Sequence, residues 1–431
     1  MPFEMYAAAP RRIAVIGGGI AGMAAAHLLG GDHAVVLHEA EPRLGGHART
    51  VLAGRRGDQP VDTGFIVFNH VNYPGLTALF GRLGVPTAPS AMSFGASIDG
   101  ARIEYGLAGP AAIFAQRRNA LRPAFLRMLR DILRFNARAE AVATDPAMTI
   151  RGLLEALGTG PSFRDHYITP FSGAIWSTPL SGILDFPAQA LVRFFRNHGL
   201  LGYSGQHQWH TVRGGSVEYV RRLQASLVAQ GVEVRTGAPV AGVRRVPQGA
   251  MVRAKGGAWE LYDDVVFACH SDQALRMLSD ASPAERAALG AIRYQPNEAV
   301  LHADPSVMPR RRAVWSAWNY TEPKGGAGGR IDLTYWMNAL QPIPQDDPLF
   351  VTLNTNRPIP DRLVHDATTF RHPVFDVAAL AAQGRIAARN GARNTWFCGA
   401  WMRNGFHEDG FASAVAVAEG IRARTAARIA A

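Results

Sequence analysis

The tightest constraint on this chain is a strand, a glycine turn, a helix, a second strand and an acid, in register across residues 13–39. Ile13-Ala14-Val15-Ile16 is a β-branched apolar run of the kind that forms a buried strand of a parallel sheet. It leads into Gly17-Gly18-Gly19-Ile20-Ala21-Gly22, a G-x-G-x-x-G turn, and then into a helix-forming stretch over residues 23–29. In such a turn Gly17 permits the sharp reversal, Gly19 lets the backbone approach a diphosphate, and Gly22 lets the helix pack on the strand. The diphosphate is expected at the helix N-terminus beside Ile20 and Ala21, where unpaired amides and the dipole favour an anion. A second strand over residues 34–38 ends at Glu39, placed to accept both hydroxyls of an adenosine ribose. The pattern predicts a Rossmann-like α/β nucleotide-binding fold and leaves NAD and FAD equally open.

The next residues, Glu39-Ala40-Glu41-Pro42-Arg43-Leu44-Gly45-Gly46-His47-Ala48-Arg49-Thr50, separate the two. The run E-A-x-x-R-x-G-G-x-x-x-T resembles the second signature of the flavin-dependent amine oxidase, phytoene desaturase and protoporphyrinogen oxidase superfamily. That resemblance implies non-covalent FAD, with Ala40, Arg43, Gly45, Gly46 and His47 around its diphosphate and ribityl chain. A planar guanidinium binds phosphate bidentately, and paired glycines admit further amides. The resemblance continues at Asp62 and Thr63-Gly64-Phe65, implied to pass near the flavin, and at residues 211–216. It resumes over 231–240, where Val240 is implied to lie against the adenine, over 263–269 and over 394–401. A small-residue helix expected over 412–427 follows, with Gly399, Asp409, Gly410, Phe411 and Ala412 implied at the flavin edge. In one place the chain departs from the family: Ala400 stands where a Glu is usual, so a ribityl contact is lost or passes to Asp409.

The implied fold class is α/β, a discontinuous FAD-binding Rossmann-like domain of the two-dinucleotide-binding (GR2) type with a mixed α+β substrate lobe. The FAD domain is expected in residues 1–75, 205–295 and 380–431, and the lobe in 76–204 and 296–379. The lobe is dense in aromatics: Phe163, Tyr167, Phe171, Trp176, Phe194, Phe195, Tyr203, Trp209, Trp315, Trp318, Tyr320, Tyr335 and Trp336. Most are expected in the core, and an apolar tunnel ending at the flavin is their natural functional use. Residues 117–138 read as a basic amphipathic helix, with Phe125, Leu129, Ile132 and Leu133 on one face and Arg127, Arg130, Arg134 and Arg138 on another. That pattern suits either an ordinary surface helix or contact with anionic lipid headgroups.

The net charge of +11 raises the question of nucleic acid. The excess is almost all arginine, lysine standing only at Lys255 and Lys324, and no nucleic-acid reader motif accompanies it. Cys269 and Cys398 end apolar runs and match no disulfide or metal spacing. The spacing of His198, His207 and His210 suggests no metal site either. With no secretory pattern at the start and no run of roughly 18 apolar residues, the expected location is cytoplasmic, the Arg-rich helix being a candidate contact to the inner membrane face.

The segments VDTGFIVFN, MSFG and WFCGAWMRNGFHEDGFASAV resemble a bacterial subgroup of the superfamily associated with methylated or cyclopropane fatty-acyl lipids. The implied reaction is dehydrogenation of a methyl-branched unsaturated acyl chain, by hydride transfer to flavin N5 and loss of the adjacent proton to a base. His407, Glu408, His47 and Tyr203 are the candidates for that base or for positioning the substrate. The Lys that assists many amine oxidases has no counterpart in a motif here, Lys324 lying in a glycine-rich loop. An amine or amino-acid oxidase, and a non-catalytic flavoprotein presenting lipid to a lipid-modifying enzyme, are the alternatives.

Overall fold

The computed structural model describes residues 10–176, 180–202, 206–326, 331–355 and 357–430. At the centre of the nucleotide half is a parallel sheet in the order Glu233–Arg235, Ala34–His38, Arg12–Ile16, Asp264–Phe267, Thr395–Phe397. Successive side chains point to opposite faces, and both faces are covered. Ile13, Val15, Val35, Leu37 and Val266 pack on one side with the helices Ile20–Leu29, Val217–Ala229 and His407–Ala430. Ala14, Ile16, Val36, Val265 and Phe267 pack on the other, with a small sheet over 240–262 and the helices Ser271–Met277, Pro283–Gly290 and Val377–Ala387. The strand order reverses at Arg12–Ile16, so the crevice beyond its carboxyl end is the topological switch point.

The substrate lobe is built on a seven-stranded sheet in the order Val364–Val374, Arg293–His302, Phe350–Leu353, Leu333–Trp336, Trp318–Thr321, Phe94–Ile98, Ile103–Gly106. All its pairings are antiparallel except that of Trp318–Thr321 with Phe94–Ile98. Its core is shared with the helices Pro123–Val142, Ile150–Leu157, Thr169–Trp176 and Ala188–Asn197.

The expected boundaries shift where apolar faces dictate. Leu76, Leu79 and Phe80, on the helix Pro74–Leu83, and Val85 pack into the nucleotide-side core, past the boundary expected at residue 75. Ala379 belongs to that half as well, while Ala53, Val61 and Ile66 pack into the lobe. The C-terminal helix starts at His407, ahead of the expected 412.

The Arg-rich segment also differs from expectation. A 3-10 turn, Arg117–Leu121, precedes the helix Pro123–Val142, because proline accepts only the first helical turn and holds Arg122 extended (φ −97°, ψ 110°). The buried face is Phe125, Met128, Ile132, Phe135 and Ala139, and Leu133 lies outside it. Trp315 and Trp336 leave the main core for a separate cluster with Phe350, where the Arg312 guanidinium stacks over both indoles at 3.8 and 4.4 Å.

Candidate functional site

The glycine turn sits at the switch point, and each of its three glycines meets different surroundings. Gly17 has φ +114°, and a Cβ there would lie 2.8 Å from the Ala268 carbonyl oxygen. A Cβ on Gly22 would lie 1.7 Å from the Gly17 carbonyl oxygen, so only hydrogen fits between helix and turn. On Gly19 a Cβ would meet nothing within 4 Å. The helix Ile20–Leu29 that follows has no side-chain cap and no acid in its first turn, which leaves its leading amides, Ile20 and Ala21 among them, to an anion. Glu39 lies at the end of the Ala34–His38 strand, its carboxylate accepting from the amides of Gly18 (2.5 Å) and Glu41 (2.8 Å). The Gly237 and Ala238 amides donate to the carbonyls of Glu41 and Glu39, bringing Val240 to this same end. Exposed Ala40 lies between them.

The second glycine pair lies beside the first turn: Gly45 donates to the Gly18 carbonyl, and a Cβ on Gly46 would come 3.1 Å from Gly19 Cα. Arg43 acts on this loop in a way the sequence does not reveal. Its guanidinium donates to the carbonyls of Leu44, Gly46 and Ala48, so it fastens the loop from within. Further along, Phe65 donates to the His47 carbonyl, and Gly64 lies so close that a Cβ would come 2.0 Å from it. Buried Asp62 ties these pieces together, accepting from the Thr50 hydroxyl, from Ser216 amide and hydroxyl, and from Gln341 of the lobe. Burial pushes its pKa up to about 6. The uncapped helix, the open space at Gly19 and the adjoining glycine pair together fit a dinucleotide diphosphate.

Between the halves lies a cavity of about 540 Å³. The nucleotide half contributes His47, Thr63, Gly64, Phe65 and His407, and the lobe contributes Phe94, Leu107, Phe171, Trp176, Phe194, Trp318, Tyr335, Phe370 and His372, among others. Among the described residues lining it there is no Asp, Glu, Lys or Arg. Its polar side chains include histidines that burial keeps neutral, His47 falling to about 4 and His372 and His407 to about 3. His407 stacks on Phe65 (3.8 Å between ring centroids), and its Nε2 is 3.1 Å from the Tyr219 hydroxyl. The His372 ring lies 5.5 Å from that of His47, with its Nδ1 2.8 Å from Asn297 Nδ2. His198, also in the wall, lies between Phe194 and Trp209.

Of the four candidates for the base, His407 and His47 line the cavity, and Tyr203 lies outside the described residues. Glu408 does not line it: its carboxylate accepts from the amides of Gly75 (2.9 Å) and Leu76 (2.8 Å), capping the helix Pro74–Leu83. The physical reason is helical geometry, since consecutive residues point about 100° apart. Asp409 is also engaged, one carboxylate oxygen taking the amides of Asn404 and Phe406 and bracing the turn before the helix. Gly410 packs against Ile20, Phe411 against Gly75, and Ala412 follows on the helix, so the two helix N-termini lie close. Gly399 has φ +152° against the Trp401 indole. His372, Tyr219 and Asn297 were missed in the sequence because no motif marks them. Pairing of Arg293–His302 with Val364–Val374 joins two of them, and a tyrosine within an ordinary helix supplies the third. Among the described residues no group of three or more His, Cys, Asp or Glu side chains is arranged to hold a metal ion.

Comparison with solved structures gives the same fold at low identity. A fatty acid isomerase from P. acnes that produces CLA superposes with a TM-score of 0.69 at 16% identity, over 95% of this chain and 98% of that one. Cyclohexylamine oxidase from Brevibacterium oxydans IH-35A gives 0.68 at 14%, over 96% and 100%. Reduced UDP-galactopyranose mutase gives 0.68 at 14%, over 96% of each chain. A comparison with the curated proteins found no match. The family model "flavin containing amine oxidoreductase" matches residues 20–318. The chain is therefore a member of the flavin containing amine oxidoreductase family, an FAD-dependent oxidoreductase.

Proposed function

We propose that this enzyme dehydrogenates a methyl-branched unsaturated fatty-acyl chain carried on a phospholipid. The observation that carries the reading is the cavity wall, aromatic and aliphatic with neutral histidines and without a charged side chain among its described residues. An ammonium or a free carboxylate entering such a wall sheds its water without meeting a counter-ion, a penalty of several kcal/mol or more. An acyl chain requires no counter-ion. A fold that also carries a fatty acid isomerase, an amine oxidase and a sugar mutase does not choose among substrates, so the lining has to.

In this reading the glycine turn and the Gly45-Gly46 pair would hold the FAD diphosphate, Glu39 would hold the adenosine ribose, and Thr63-Gly64-Phe65 with the C-terminal helix would hold the flavin end. Bound FAD supplies the two-electron oxidation of the substrate. The chain's own task is to take up the proton lost from the neighbouring carbon. We assign that task to His407, oriented by Tyr219. Burial makes its imidazole a weak base, yet a C–H beside a carbon losing electrons is acidic enough for one. A neutral acceptor also keeps the cavity free of charge in the resting state.

The test is anaerobic titration of the flavoprotein with phospholipid bearing such chains. Bleaching of the oxidised flavin, with a product lighter by two hydrogens, is the expected result. The variant His407→Gln should keep its flavin and bleach roughly 100-fold more slowly. Bleaching by amines but not by lipid would overturn the substrate, and an unslowed variant would remove His407 from the reaction.

A further inference from the structure

Four of the nine large apolar side chains that stand exposed among the described residues fall within one short stretch: Phe114, Leu121, Leu126 and Leu133. Leu121 is 85% exposed, Leu133 51% and Leu126 44%. On the helix Pro123–Val142, Leu126, Arg130, Leu133 and Ala137 follow the i, i+4, i+7, i+11 spacing and form one outward stripe, opposite the buried Phe125, Met128 and Phe135. Leu121 and Phe114 are exposed in the segment that leads into the helix, the Phe114 ring meeting Phe125 edge-on at 6.3 Å. A water-soluble helix normally keeps leucine off its outer face.

The charge around this stripe is mostly positive; the exposed acid on the same face, Glu140, lies two turns past Leu133 and is paired with Arg196 (2.9 Å). Exposed Arg117, Arg127 and Arg138 make no hydrogen bond or ion pair among the described residues, and exposed Arg130 lies at the 4.0 Å limit of an ion pair with Asp131. The acid in residues 110–138 is Asp131, which is 3% exposed and turned inward to the Gly160 amide. An apolar stripe bordered by unpaired arginines complements a surface that is anionic outside and apolar just beneath. A protein partner would need acids facing the arginines and an apolar groove between them, whereas a bilayer of acidic phospholipid offers both by construction. The face also joins the cavity along the chain. Leu107 and Ala108 line the cavity, and the short helix Pro110–Ile113 leads from them to Phe114.

We propose that residues 114–138 form a docking face for an anionic phospholipid bilayer, with Leu121, Leu126 and Leu133 entering the interface and Arg117, Arg127, Arg130 and Arg138 meeting the phosphates. The face lies apart from the flavin site, so this inference stands or falls separately from the reaction proposed above.

The test uses the full-length flavoprotein in vesicle flotation, with phosphatidylcholine alone and with phosphatidylcholine containing phosphatidylglycerol. Binding is expected to the mixed vesicles, to weaken at high salt, and to be near background on phosphatidylcholine. The variant Leu121→Glu/Leu126→Glu/Leu133→Glu should bind at least about tenfold more weakly. Replacing Arg117, Arg127 and Arg138 with Gln should weaken binding by roughly 100-fold. Flavin content and melting temperature should be unchanged in both, which separates lost docking from lost folding. Equal binding to both vesicle types, or binding unmoved by either triple variant, would overturn the proposal. So would a dimer in sedimentation velocity that the leucine variant abolishes, for the stripe would then meet a second copy of the chain.

Discussion

In the nucleotide half, the turn from Gly17 to Gly22 is made of backbone, and at two of its glycines an added carbon would collide with a carbonyl oxygen. Facing the substrate lobe, the cavity wall is made of side chains drawn from strands and helices far apart in sequence, and among the described residues it carries no charged side chain. The contrast shows that the two halves tolerate different changes. The turn discriminates by volume and should resist even a methyl group. The wall discriminates by polarity and should absorb apolar exchanges while resisting a single charge.

The largest expected effect comes from adding one carbon to the turn. Gly22→Ala places Cβ 1.7 Å from the Gly17 oxygen, and Gly17 is itself pressed against Ala268, so neither can yield cheaply. The variant should lose about 3 kcal/mol of stability and purify without flavin, as thermal unfolding and the visible spectrum would report. Full flavin at wild-type stability would mean that the turn is not the rigid cradle described.

Next in size is a charge in the wall. Leu107 is half-buried and lines the cavity, and Leu107→Asp should leave flavin binding intact. It should lower kcat/KM for the apolar chain by roughly 100-fold, because the carboxylate either keeps water in the cavity or is desolvated unpaired. A gain of turnover with an amine would sharpen the contrast further, since one acid would then have changed the substrate class. Loss of flavin instead would mean that the two halves are not separable.

The smallest effect tests the wall that both halves share. His47, His372 and His407 are held neutral by burial, at about 4, 3 and 3, against 6.5 in the unfolded chain. As pH falls from 6.5 towards 4, the unfolded chain takes up protons that the native state refuses, so their contribution to stability is lost across that window. Asp62 and Asp409, raised to about 6 by burial, work the other way, because the native state protonates first as pH falls from 6 towards 4. Three histidines outweigh two acids, and the melting temperature should be lower at pH 5 than at pH 7.5. His372→Asn should make that dependence shallower, whereas a rise on acidification would show that these imidazoles are charged in the fold.

Much of the nucleotide half was legible because its information is local. A positive φ at Gly17, the spacing from turn to acid and the apolar strands are properties of neighbouring residues, and they foretell the sheet and the turn without knowledge of anything distant. The Arg43 side chain was less legible, since a guanidinium near a glycine pair serves equally to grip a phosphate or to fasten the loop carbonyls, as it does here. In the lobe the aromatics announced an apolar interior but not its division. Phe171, Trp176 and Trp318 reach the cavity, while Phe163, Phe195 and Tyr320 fill the core behind it.

What the amino-acid order determined by itself was the α/β nucleotide-binding frame and, through family resemblance, its flavin. Both rest on backbone requirements that a few consecutive residues express. Only the tertiary structure decided which of two adjacent side chains, His407 or Glu408, faces the cavity. It alone also brought His372 to His47 and kept the described wall free of charge. Those outcomes depend on helix rotation and on the pairing of Arg293–His302 with Val364–Val374, and thus on contacts between segments far apart along the chain.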